Sequence, residues 1–249
     1  MSEEPMRSGA FEIVREFEVE AAPEQVWEAI TTGTGGWLWP VEYEPREGGA
    51  APFGGTVTAW DPPRRLTART EDVEGIDVQT LNQLDHLVEP LEGGGCRVRY
   101  VHSGILVDDW DNQYDGANKH TDFYLHTLRQ YLTYFAGRPA AFATLDAPAA
   151  SVAPDALDVV TRALGIPDDA AEGATVRFDL PGTGPVDAVL DYRNRYFVGL
   201  RTEDAMYRVF GRNHFGAPVG VSVHDFAPGA DAAKAEPAWR GRLEEIFAV

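Results

Sequence analysis

Residues 112–135, NQYDGANKHTDFYLHTLRQYLTYF, run for 24 positions without a proline. At 1.5 Å per residue that is about 36 Å of helix. Tyr114, Ala117, Thr121, Leu125, Leu128, Leu132 and Phe135 recur every three or four positions and form one stripe. Phe123, Tyr124, Tyr131 and Tyr134 lie beside it, so the second half is apolar nearly all round. A helix of that kind must be covered on more than one side. Residues 97–107, just before it, read as a strand, and so do several earlier segments. Antiparallel strands followed by one long helix predict a curved sheet gripping a helix, with a cavity between them.

The earlier segments fit this plan. Phe11, Ile13, Phe17 and Val19 alternate with Glu12, Glu16, Glu18 and Glu20, the pattern of a strand with one wet face. Pro23 suits the first turn of a helix and Glu24 its positive end, which predicts a short helix over 23–31. Strands are expected at 41–46, 56–60 and 66–71, the last two joined by a turn at Asp61-Pro62-Pro63. A hairpin of 78–88 and 96–105 closes through Glu92-Gly93-Gly94-Gly95. In that hairpin His86 should lie near Tyr100, and His102 near Leu84. Alternation then lets His86, Tyr100 and His102 share one face. Asp111 or Asn112 is the expected cap of the long helix.

EPREGG, GGTVTAWDPPRRL, EGGGCRVRYVHSGI and the long helix ending YFAGRP occur in this order, after an opening FEVEAAPEQVWEAIT. Over residues 11–138 this series resembles the bacterial heat-shock-protein-90 ATPase activator-like family. That family belongs to the START-like (SRPBCC, birch-pollen-allergen-type) superfamily of helix-grip folds. The resemblance implies an α+β helix-grip domain over 1–138. It implies no catalytic residue, because the superfamily of lipid carriers, polyketide cyclases, hormone receptors and co-chaperones shares no catalytic motif.

Residues 139–154, rich in Ala and Pro, read as a linker. Beyond it, 155–249 reads as a smaller α+β domain: a helix at 155–164, strands at 175–180, 186–192, 196–201, 206–210 and 220–226, and a closing helix at 239–247. The order repeats that of the first domain without its opening strand. TVTAWDPPRRLTARTED (56–72) also runs parallel to AVLDYRNRYFVGLRTED (188–204), with Arg69-Thr70-Glu71-Asp72 against Arg201-Thr202-Glu203-Asp204 and Leu66 against Val198. A shortened helix-grip repeat and an unrelated α+β domain both remain open.

Function is read partly by exclusion. The net charge of −19 leaves no basic face for nucleic acid or for an anionic membrane. No apolar run reaches membrane-spanning length, and MSEEPMRSGA lacks the apolar centre of a signal peptide, so a cytoplasmic location is expected. A single cysteine, Cys96, excludes an internal disulfide and a thiolate metal cluster. His86, His102 and His120 or Asp122 could meet as metal ligands, but no close-spaced ligand motif supports this, and neither metal nor cofactor is expected. The nucleophile elbow, P-loop and dinucleotide fingerprint are absent from the sequence.

The expected function is binding of an apolar or aromatic small molecule between sheet and long helix. Trp39, His86, Tyr100, His102, Phe123, Tyr124 and Leu128 are the expected lining, with rings supplying contact area and polar tips fixing orientation. Two other readings stand beside it. One is a polyketide-cyclase-type enzyme using His86, His102, Tyr100 or Tyr124 for acid–base chemistry in the same cavity. The other is a co-chaperone or interaction module with a protein partner.

Overall fold

The computed structural model describes residues 9–72 and 79–248, which form two compact units, Met1–Gly137 and Arg138–Val249. Each is described by itself.

The first unit opens with β1 (Gly9–Val19) and a short helix α1 (Pro23–Ile30). Pro23 stands in the first turn of α1, and Val26, Ala29 and Ile30 form its buried face. An irregular segment leads to β2 (Ala50–Ala51), β3 (Gly55–Asp61), β4 (Arg65–Glu71), β5 (Gln79–Pro90) and β6 (Cys96–Leu106). The long helix α2 (Trp110–Tyr134) follows at once. The sheet order is β1-β6-β5-β4-β3-β2, antiparallel at every step. The two ends of the strand run therefore meet, since β1 pairs with β6 from Gly9↔Leu106 to Val19↔Cys96. Helix α2 crosses the inner face and packs on β1, β6 and α1. This is an α+β helix-grip fold.

Two local expectations are corrected, and a third falls outside the described residues. Residues 41–46 are not a strand. Glu44 N–H instead donates to the Ala50 carbonyl within a turn, and the Glu44 side chain accepts from Arg46 and from Ala50 N–H. The cap of α2 is Asp109, not Asp111 or Asn112. It is held at φ 45°, and its carboxylate accepts from the Asn112 side chain and not from a helix N–H. The β5 strand begins at Gln79, and Val78, expected within it, lies outside the described residues.

The second unit repeats the plan in full. Its strands are β7 (Ala141–Asp146), β8 (Thr175–Leu180), β9 (Gly184–Arg193), β10 (Phe197–Arg201), β11 (Ala205–Phe210) and β12 (Gly220–Asp225). Helix α3 (Ala156–Ala163) lies between the first two, and α4 (Ala232–Ile246) closes the unit. The order is β7-β12-β11-β10-β9-β8, strand for strand that of the first unit. The stretch 139–154 is thus not a linker, because it contains the opening strand. That strand is hard to see because Ala143 and Leu145 are its buried positions, and alanine gives alternation little amplitude.

The hairpins aligned by sequence, β3–β4 and β9–β10, occupy equivalent places in the two sheets. Each carries a one-residue bulge in its first strand, at Thr58 and at Asp191. The core of the second unit joins Leu157, Val160 and Leu164 to Leu190, Leu200, Val209, Val221, Trp239 and Leu243.

Candidate functional site

A cavity of about 300 Å³ lies in the first unit between the inner sheet face and α2. The helix contributes Ala117, His120, Thr121, Tyr124 and Leu125, spaced as one face of a helix. The sheet contributes Ala68 and Thr70 from β4, Gln79, Asn82, Leu84 and His86 from β5, and Tyr100 and His102 from β6. Irregular backbone closes the remaining side, with Trp37, Leu38, Trp39, Val41, Tyr43 and Phe53. Trp37 is fixed there by donating from Nε1 to the Ala29 carbonyl at 2.8 Å. Trp39 packs edge-on against both Phe53 and Tyr124, at 6.4 and 5.7 Å between ring centroids. Phe53 is 54% exposed and Trp39 36%, so this aromatic pair stands where the cavity meets solvent.

The polar chemistry is at the opposite wall. His86 pairs with Tyr100 across β5–β6, and Leu84 with His102, the register expected from the glycine turn. The His86 and Tyr100 rings are 4.9 Å apart. Burial lowers the imidazole of His86 to about 4, against a smaller upward pull from Asp85. His86 is thus a neutral ring with one donor and one acceptor nitrogen. Neither nitrogen has a hydrogen-bond partner among the described residues.

His102 is also lowered to about 4 by burial. Its Nε2 meets Asn82 Oδ1 at 2.8 Å, and the Gln79 amide donates to the same oxygen at 3.3 Å. An oxygen in that place assigns the His102 proton to Nε2. Phe11 holds the ring edge-on at 5.0 Å. Burial raises the Tyr43 phenol to about 12 and raises that of Tyr100 as well, with a further push on Tyr100 from Tyr43 and Tyr124. Both remain neutral phenols at any ordinary pH. Among the described residues no Asp, Glu, Lys or Arg lines the cavity. Arg15, on the same sheet face, is held by Asp122 at 2.6 Å and by Asn118 at 2.8 Å.

Of the residues expected at the site, Trp39, His86, Tyr100, His102 and Tyr124 line this cavity. Phe123 and Leu128 do not, although both are completely buried. Phe123 sits about 100° round the helix from Tyr124. Leu128 lies a turn beyond Leu125, the last helical residue of the lining. Sequence reasoning missed Asn82 and Gln79 and considered His120 only as a metal ligand. Asn82 was within reach, since it shares the alternating face of Leu84 and His86. Among the described residues no group of three His, Cys, Asp or Glu side chains could hold a metal ion, and no helix is long and apolar enough to cross a membrane.

The fold and cavity define an α+β helix-grip protein whose first unit holds a largely apolar internal space with neutral polar groups at one wall. No family model matches the chain, and no curated protein matches it. Several solved structures do resemble it. Protein MLL2253 from Mesorhizobium loti is 21% identical over 50% of this chain and 98% of that one, with a TM-score of 0.42. CalU16 from Micromonospora echinospora is 20% identical over 51% and 82%, with a TM-score of 0.40. DynU16, a protein in the dynemicin biosynthetic locus, is 15% identical over 94% of this chain and 95% of that one, with a TM-score of 0.42.

Proposed function

We propose that the first unit binds an apolar or aromatic small molecule in the cavity between its sheet and α2, and that the protein is a carrier or sequestering protein. One observation supports this most directly: about 300 Å³ of apolar-walled space is lined by the buried His86, whose two nitrogens have no hydrogen-bond partner among the described residues. A closed core keeps its polar groups paired, whereas a ligand site leaves a few convergent ones for its guest. Affiliation with the START-like superfamily, and with the activator-like family within it, is part of this reading and rests on the motifs of residues 11–138.

The acid–base alternative is less well supported. A catalytic base works best near the operating pH. His86 and His102, each lowered to about 4, are weak bases at neutrality, and the raised Tyr100 is a weak acid.

Binding is tested with an apolar fluorescent dye, by adding bulk to the cavity wall. Ala117 and Thr121 both line the space. Ala117→Phe or Thr121→Phe should weaken dye binding at least tenfold while changing stability by under about 1 kcal/mol, because the new ring enters open space. Overpacking a filled core would instead cost about 1–3 kcal/mol. That loss, with no dye bound by the parent protein, would overturn the proposal.

A further inference from the structure

The two units are a built-in control for one another. With Leu66 aligned to Val198, corresponding rows can be read across both sheets. One row runs Leu66, His86, Tyr100, Arg15 in the first unit and Val198, Val209, Val221, Leu145 in the second. The next runs Ala68, Leu84, His102, Ile13 against Leu200, Tyr207, Val223, Ala143. His86, Tyr100 and His102 therefore correspond to Val209, Val221 and Val223. In the second unit those valines belong to the buried hydrophobic core. The same topology closes with three aliphatic side chains, so the fold does not require the polar rings of the first unit.

We infer that the cavity selects uncharged aromatic ligands bearing a hydroxyl group, seated with that group on His86, and rejects carboxylates of the same size. The inference rests on the small-molecule reading above and names its ligand class. A hydroxyl both donates and accepts, and so does the neutral imidazole of His86. The Tyr100 ring, 4.9 Å from His86, gives the adjoining aromatic surface. A carboxylate would enter a space with no Lys or Arg among the described lining residues, and burying an unpaired charge is strongly unfavourable. Arg15 cannot answer it from the sheet, because Asp122 and Asn118 already hold its guanidinium.

The test compares three ligands of one size on the full chain at pH 7.5, by calorimetry or fluorescence: naphthalene, 2-naphthol and 2-naphthoate. 2-Naphthol should bind one per chain, at least tenfold tighter than naphthalene and at least a hundredfold tighter than naphthoate. His86→Leu should abolish the preference for naphthol over naphthalene. If naphthalene binds but naphthol is no tighter, or naphthoate equals naphthol, the selectivity is wrong and the small-molecule reading survives. If neither naphthalene nor naphthol binds, that reading falls and the selectivity with it. The three-ligand comparison needs no variant to fold. A preference for naphthol that persists in a folded His86→Leu protein would remove His86 from the contact.

Discussion

His86→Leu should make the unliganded protein more stable and less sensitive to acid. His86 is buried, with neither ring nitrogen paired among the described residues. A buried polar group left unpaired costs about 1–3 kcal/mol, and leucine is of similar size and has no polar atom. At pH 7.5 the variant should therefore gain about 1–3 kcal/mol.

The pH dependence follows from linkage. His86 and His102 each titrate at about 4 in the folded chain against 6.5 when unfolded, both because of burial. Above pH 6.5 neither state binds these protons. Between pH 6.5 and 4 the unfolded chain takes them up and the folded chain does not, so stability falls as the solution is acidified. Near the middle of that window each histidine contributes a slope of about 1.4 kcal/mol per pH unit. The groups facing His86 do not confuse the comparison. Tyr43 and Tyr100 stay neutral here, and the small upward pull of Asp85 is present in the parent alone. Urea titrations followed by tryptophan fluorescence at pH 7.5, 6.0 and 5.0 measure the difference between parent and variant, and carboxylates common to both cancel. The gap should widen by about 1.2 kcal/mol between pH 6 and 5. A constant gap, or a variant less stable than the parent by more than about 1 kcal/mol at pH 7.5, would refute the reasoning.

Two further predictions concern packing. Arg208 and Asp191 form a 2.9 Å ion pair with side chains only 1% and 3% exposed. Arg208→Met should cost about 3–5 kcal/mol by stranding the carboxylate, and adding Asp191→Leu should restore most of it; a single-variant loss under 1 kcal/mol in denaturant titration would show the pair to be dispensable. A Cβ at Gly104 would lie 2.1 Å from the Leu81 carbonyl oxygen, beside the register shift in β5. Gly104→Ala should lose about 1–3 kcal/mol and speed amide exchange along β5–β6, and parent-like exchange would contradict this.

Legibility in the sequence followed periodicity. The long helix shows its stripe plainly, and the β5–β6 register follows from alternation anchored by the glycine turn, which sets His86 opposite Tyr100. The helical side of the cavity was less legible. Phe123 and Tyr124 are both aromatic neighbours in sequence, and which one faces inward depends on the helix phase relative to the sheet. The segment carrying Trp37, Trp39, Tyr43 and Phe53 has no regular period, so nothing in its pattern says which rings turn inward. Strand β7 was missed because one of its two buried positions, Ala143, is small, and with it went the full correspondence of the two units.

The meeting of β1 with β6 has a consequence for synthesis. Roughly 90 residues separate the end of β1 at Val19 from the end of β6 at Leu106. At about 5–20 residues per second, the first strand waits on the order of 5–20 s for its partner to be made. An unpaired strand in that interval is a template for pairing with another nascent chain. Glu12, Glu16, Glu18 and Glu20, all exposed in the finished sheet, give β1 and its exit a row of like charges. Two copies brought edge to edge would repel, so the acids that look ornamental on the completed surface guard the strand while it waits.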